Sequence, residues 1–89
     1  MYRVGLPFWR FMARRGVPMY LRVNVLRDSA ASVFVATSPD LDGLVVEAET
    51  MDELVTEARE LISMLLGDYL SSDNYAEPEL RLKGGRVAA

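Results

Sequence analysis

The sequence predicts an α+β fold in which one main helix packs on an antiparallel sheet, in the order β-β-β-α-β with a short helix in front. Two observations carry this prediction. Between residues 51 and 66, apolar side chains recur every three or four positions, as they do on one face of a helix. Three extended runs precede that segment and one follows it. The 89 residues leave room for one domain.

Residues 1–18 are predicted to form a basic, aromatic extension in front of the domain. Pro7 suits the first turn of a short helix over residues 8–15, which Gly16 ends and Pro18 prevents from resuming. Either the aromatic side chains dock on the domain, or the segment is a surface for self-association, a partner or nucleic acid. The residues expected to share one face and assigned to oligomerisation are Phe8, Trp9 and Met12, and those assigned to nucleic-acid contact are Arg10, Arg14 and Arg15.

Four strands are predicted from extended character and from the turns between them. They cover residues 19–27, 33–38, 44–48 and 79–83. In the first strand Leu21, Val23 and Val25 alternate with polar residues, which indicates one buried face. Turn-forming residues at 28–32 predict a hairpin, and the loop at 39–43 combines a proline with a glycine that tolerates positive φ. The third strand is apolar enough for a place near the centre of the sheet, and the fourth is expected at an edge.

The main helix is predicted from residue 51 to residue 66. Thr50 and Glu53 form a T-x-x-E capping box, in which each side chain satisfies the backbone N–H of the other residue. Asp52 and Glu53 also place negative charge in the first turn, where the helix dipole favours it. The stripe expected to face the sheet consists of Leu54, Val55, Ala58, Leu61, Ile62, Leu65, Leu66 and Tyr69.

The composition argues against most catalytic and metal-binding chemistry. Cysteine and histidine are both absent, so the chain has no disulfide, no thiolate metal site and no imidazole base. Asp28, Asp40 and Asp42 lie in predicted turns, where turn chemistry explains them without a metal. No apolar run is long enough to span a membrane, and no leader pattern is present. We therefore expect a cytoplasmic, non-enzymatic protein with no metal and no cofactor.

Charge is distributed unevenly along the chain. Residues 1–27 contain six arginines and no acid, whereas residues 28–79 contain all thirteen acids and one base, Arg59. An acidic middle is either a solvated face or a surface for a basic partner. The acids assigned to partner binding are Glu47, Glu49, Asp52, Glu53, Glu57 and Glu60. The domain is assigned to residues 19–83 and a disordered tail to residues 84–89.

A loop, a strand and a helix start together form a recognisable pattern. A strand leads into a loop of the type pDlpG at residues 39–43, then into an apolar strand ending in Glu-Ala at residues 45–48, then into T-x-x-E-h at residues 50–54. With the preceding hairpin, this pattern resembles the HicB antitoxin family over roughly residues 20–70. The resemblance is closest to the small HicB-like branch of that family.

The resemblance implies a degenerate RNase H-like fold without nuclease activity. It implies a module that binds and neutralises a small basic HicA-like toxin, itself an enzyme that cleaves mRNA. HicB proteins usually carry a C-terminal DNA-binding segment, for which the 89 residues leave no room. We expect a homodimer or a larger assembly. The alternatives are a nucleic-acid-binding regulator that uses the arginine-rich N-terminus, or an orphan module that only self-associates.

Overall fold

The computed structural model describes residues 1–71 and 74–82. Its elements are β1 (Tyr2–Arg3), α1 (Trp9–Arg14), β2 (Met19–Asp28), β3 (Val33–Thr37), β4 (Val45–Ala48), α2 (Met51–Leu66) and β5 (Ala76–Leu82). The predicted α+β class is confirmed, with a five-stranded sheet, one main helix and a short N-terminal helix. The two-residue strand β1 was not predicted. The predicted tail, residues 84–89, lies outside the described residues.

Strand β2 is the centre of the sheet. Along one side it pairs in parallel with β5, from Met19 opposite Ala76 to Val25 opposite Leu82. Along its other side it pairs in parallel with β1 at its start and antiparallel with β3 at its end. The sheet is therefore mixed and not antiparallel throughout as predicted, and its antiparallel part is the meander β2, β3 and β4.

Strand β4 lies at an edge of the sheet, so the prediction of a central position is wrong. In the part of the chain that the structure describes, β4 pairs only with β3. Its apolar character has another cause. Val46 and Ala48 are buried, and Ala58 of α2 is buried in the same core. Val45 points away and leaves 62% of its surface exposed.

Helix α2 covers one face of the sheet and closes the core. Its buried side chains are Leu54, Ala58, Ile62 and Leu66, spaced as predicted. They join Met19, Leu21, Val23 and Val25 of β2, all at most 1% exposed, in one apolar cluster. Full burial of each leucine or isoleucine contributes about 1.5–3 kcal/mol, so this layer is the main source of stability.

The start of α2 agrees with the predicted capping box in one half only. Thr50 Oγ1 accepts a hydrogen bond from the backbone N–H of Glu53 at 3.1 Å, which satisfies one of the free donors of the first turn. The Glu53 carboxylate accepts from the Thr50 hydroxyl at 3.2 Å rather than from the Thr50 backbone N–H. The helix nevertheless begins at Met51 and ends at Leu66, the predicted bounds.

The first eighteen residues pack on the domain. Val4 and Ala13 are buried, and Trp9 and Met12 pack against the same core. Asn74 Nδ2 donates to the carbonyl oxygens of Ala13 at 3.0 Å and Val17 at 2.8 Å, which ties the end of α1 to the segment before β5.

The predicted common face of Phe8, Trp9 and Met12 is wrong. Phe8 has a φ of 66°, so it precedes the helix instead of belonging to it, and 77% of its surface is exposed. The inward face is therefore Trp9, Met12 and Ala13, at the three- and four-residue spacing of a helix that begins at Trp9.

Candidate partner-binding groove

An open groove runs between the free edge of β4 and the exposed side of α2. From β4 it is lined by Val45, Val46 and Glu47, and from α2 by Glu57, Glu60, Leu61 and Met64. The alternation of β4 turns Val45 and Glu47 away from the buried pair Val46 and Ala48. The α2 residues are three and four positions apart, so they form a second stripe beside the buried one.

The groove combines acidic groups with exposed apolar surface. Met64 is 77% exposed and Val45 is 62% exposed, so the groove presents apolar surface beside its carboxylates. Among residues 1–71 and 74–82, no basic side chain forms a salt bridge with Glu47, Glu57 or Glu60. The three carboxylates are therefore available to positively charged groups of a partner.

The one base on α2 turns away from the groove. Arg59 donates to both carboxylate oxygens of Glu77 on β5, at 2.8 Å and 3.0 Å. The hydrogen bonds raise the pKa of Arg59 and lower the pKa of Glu77. Both side chains are about half exposed, so the pair contributes little to stability. The pair matters for the charge of the groove. Because Arg59 is bound to Glu77, its positive charge does not neutralise Glu57 or Glu60.

The six predicted partner-binding acids separate into groups. Glu47, Glu57 and Glu60 meet in the groove. Asp52 and Glu53, with Thr56, line a shallower surface that shares Glu57 with it. Glu49 is exposed and lines neither surface.

Sequence reasoning missed the apolar part of the groove. Val45 is predicted in a central strand, and no role is predicted for Met64. Leu61 is predicted in the core stripe and does pack against the core, but it also lines the groove. The available signal was the position of Met64, which lies seven residues after Glu57 and therefore on the same side of the helix. The exposure of Val45 follows only from the edge position of β4.

Arg10 in α1 and Arg15 just after it lie over aromatic rings. The guanidinium carbon of Arg10 lies 5.0 Å from the ring centre of Tyr69 and 5.4 Å from that of Trp9. The rings of Trp9 and Tyr69 pack edge to face, with their centres 5.3 Å apart. Arg15 lies 5.4 Å above Phe11. Arg14 is exposed. These contacts support the interpretation in which the aromatic side chains dock on the domain, and they leave Phe8 and Phe11 exposed.

Asp40, one of the three aspartates of the predicted turns, has a structural partner. Its carboxylate accepts from the backbone N–H of Arg22 at 2.8 Å and from Nη2 of Arg22 at 2.6 Å. Burial raises the pKa of the Asp40 carboxyl, but the hydrogen bonds from Arg22 and the charges of Arg22 and Arg3 outweigh it and lower that pKa below its usual value. Within the described residues no group of three or more acidic side chains is placed to hold a metal.

The comparisons with known proteins identify a family. Residues 20–86 match the family model of a domain of unknown function, DUF1902. The chain belongs to this family. The fold of this DUF1902 protein is similar to the crystal structure of the hypothetical protein TTHA1013 from an extremely thermophilic bacterium, Thermus thermophilus. The two are 34% identical with a TM-score of 0.56, and the match covers 79% of this chain and 97% of that one. No curated protein matches the chain.

None of the helices formed by residues 1–71 and 74–82 is long and apolar enough to cross a membrane.

Proposed function

We propose that this DUF1902 protein is a non-enzymatic, antitoxin-type module that binds and neutralises a small basic HicA-like toxin. The observation that supports the proposal is the groove between β4 and α2. It presents three carboxylates that form no salt bridge with any base in residues 1–71 and 74–82, beside exposed Val45 and Met64. DUF1902 is a domain of unknown function, so the proposal rests on this groove and on the resemblance of residues 33–66 to HicB antitoxins.

The physical argument is one of complementarity. Charges at the rim of an interface steer an oppositely charged partner and orient it, while apolar contact at the centre supplies most of the binding energy. The groove offers both charged groups and apolar contact within one short surface. The protein has no histidine or cysteine, which agrees with a role in binding rather than in catalysis.

The decisive experiment begins with affinity capture of the tagged full chain from an extract of its own cells, followed by mass spectrometry. We expect a small basic protein in near one-to-one ratio. Expression of that protein alone should arrest growth, and co-expression of this chain should restore it. Recovery of the tagged chain alone would contradict the proposal.

A pair of matched variants locates the binding surface. Changing Glu47, Glu57 and Glu60 together to lysine should abolish capture and rescue. The control changes three other exposed acids, Glu49, Asp42 and Asp68, to lysine, which alters the net charge equally without touching the groove. Circular dichroism should show both variants folded. Equal loss of capture in the two variants would point to net charge rather than to the groove.

A second candidate function is nucleic-acid binding through α1. The observation that favours it is the joint exposure of Phe8 and Phe11 next to Arg14 and Arg15, since aromatic rings stack on bases and arginines contact phosphates. Binding of a fluorescent single-stranded RNA should then weaken steeply with salt. Changing Arg14 and Arg15 to glutamine should abolish it while leaving capture of a basic protein intact.

A further inference from the structure

We propose that the basic partner adds an extended strand to the free edge of β4. This inference rests on the proposed function, because it concerns how the same groove is occupied. An edge strand presents backbone N–H and C=O groups on its outer side, and an incoming strand satisfies them. Over residues 1–71 and 74–82, the backbone of Val45–Ala48 has no hydrogen-bonding partner besides β3.

The two edges of the sheet differ in how they are protected. Strand β5 has the sequence AEPELRL, with a proline that lacks an N–H and with three charged side chains of both signs. Proline and lysine or arginine on an edge discourage further pairing. Strand β4 has the sequence VVEA, with no proline and no base, and its two valines favour strands. The sheet is therefore open to extension at β4 and protected at β5.

The surroundings of β4 fit an added strand on both of its faces. The side chains of such a strand alternate, so one set meets α2 and the other set meets the outward side chains of β4. On the α2 side lie Leu61 and Met64 next to Glu57 and Glu60, and on the other side lies Val45 next to Glu47. Each face thus offers apolar contact and at least one carboxylate. A strand that carries lysine or arginine among apolar residues satisfies both.

Charge argues against a second copy of this chain as the occupant. A two-fold pairing of β4 with β4 brings together the two sets of Glu47, Glu57 and Glu60, which no base in the groove neutralises. Like charges across paired strands are unfavourable, and opposite charges are favourable. A basic strand from another protein is therefore the occupant that the groove fits.

The test uses a defined probe on the full-length protein. The probe is an acetylated and amidated octapeptide that alternates lysine with valine. Its control is the same peptide N-methylated at every residue, which keeps each side chain and charge but removes each backbone N–H donor. We expect the first peptide to raise the hydrogen-exchange protection of amides in Val45–Ala48 at least about tenfold, and the control to bind at least about tenfold more weakly.

Two variants and three outcomes complete the test. Changing Glu57 and Glu60 to lysine should weaken the binding of the first peptide, whereas changing Asp68 to lysine should leave that binding unchanged. If both peptides bind equally and both lose affinity in the double variant, strand addition is wrong and the acidic groove of the proposed function remains. If the β4 amides are unaffected at about 1 mM peptide, strand addition is wrong. If they are already protected in a dimer of the free protein, a second copy holds the edge and the inference is likewise overturned.

Discussion

The side chain of Asp40 bonds both the backbone and the guanidinium of Arg22, eighteen residues earlier in the chain. At this point β2 has no strand on that side, because β1 pairs only with Met19 and Tyr20 and β3 pairs from Asn24 onward. Ser38 Oγ donates to the carbonyl of Arg22 at 2.6 Å and accepts the N–H of Asp40 at 3.1 Å. The loop thus satisfies backbone groups that the interrupted sheet leaves open.

Replacing Asp40 with alanine should destabilise the fold. The Asp40 side chain is only 3% exposed, and its removal leaves the Arg22 N–H and a partly buried guanidinium without their acceptor. We expect a loss of about 2–4 kcal/mol in the free energy of unfolding, measured with urea. Asp42, exposed in the same loop, is the control, and its change to alanine should stay within about 0.5 kcal/mol. Equal effects at the two positions would contradict this account.

The contribution of Asp40 should depend on pH in one direction. Its pKa is lower in the folded protein than its usual value, so the folded state favours the ionised carboxylate. The stabilisation is complete above the usual aspartate pKa and is lost as pH falls through the lowered folded pKa. Urea unfolding between about pH 6 and pH 2 should show a stability difference between the parent and Asp40→Asn that shrinks at the acidic end. A constant difference would exclude ionisation of Asp40 as its source.

Reversing the groove charges should leave stability unchanged or slightly raise it. Glu57 and Glu60 are exposed and three residues apart on α2, and no base on the helix pairs with them. Lysine at both positions keeps a like-charge pair on α2 but reduces the excess of negative charge that Glu47 and Glu53 share with it. We therefore expect a change within about 0.5 kcal/mol and a smaller gain in melting temperature on adding salt than in the parent. Calorimetry at low and high salt measures both. A large loss of stability would mean that these residues serve the fold.

Trp9 and Phe8 should have opposite effects on stability. Trp9 packs edge to face on Tyr69, so its change to alanine should cost about 2–4 kcal/mol. Phe8 is exposed at a φ of 66°, which glycine adopts without strain, so Phe8→Gly should gain up to about 1 kcal/mol. Urea unfolding measures both values. Destabilisation by Phe8→Gly would show that the ring contributes packing that outweighs the strain.

Oligomerisation is tested at Phe8. Of the three residues assigned to it, Trp9 and Met12 pack on the chain's own core and Phe8 is exposed. If Phe8 is an oligomer contact, Phe8→Gly should shift the mass measured by sedimentation toward the monomer while the protein stays folded. An unchanged mass would remove Phe8 from that role.

The features that sequence predicted well have local causes. Helix α2 has its predicted bounds because Thr50 and the apolar period are contained within the segment itself. The acids that line the groove are readable from sequence by their charge, and Glu57 and Glu60 also by their helical spacing, whereas their role in partner binding stays a prediction. The position of a strand within the sheet does not have a local cause of this kind. The sequence VVEA does not reveal whether one neighbour or two will pair with it, so the edge position of β4 and the exposure of Val45 were missed.

The remaining error at α1 has a single backbone cause. The predicted helix began at Phe8, and the positive φ of that residue moves the start to Trp9. Because Phe8 lies outside the helix, its side chain does not follow the helical spacing of Trp9 and Met12, and Ala13 is the third residue of the inward face. An aromatic residue at positive φ is rare enough that no local pattern predicts it.

The parallel pairing of β2 with β5 also sets an order of assembly. Met19 meets Ala76 across more than half of the sequence, whereas the hairpin of β2 and β3 closes over a turn of a few residues. Short loops close first, and distant pairings wait for them. The meander and α2 should therefore form before β5 joins. Until β5 docks, the side of β2 that later pairs with β5 is an unpaired strand edge, in addition to the edge of β4. We therefore expect this chain to be most prone to aggregate during the slow docking of β5.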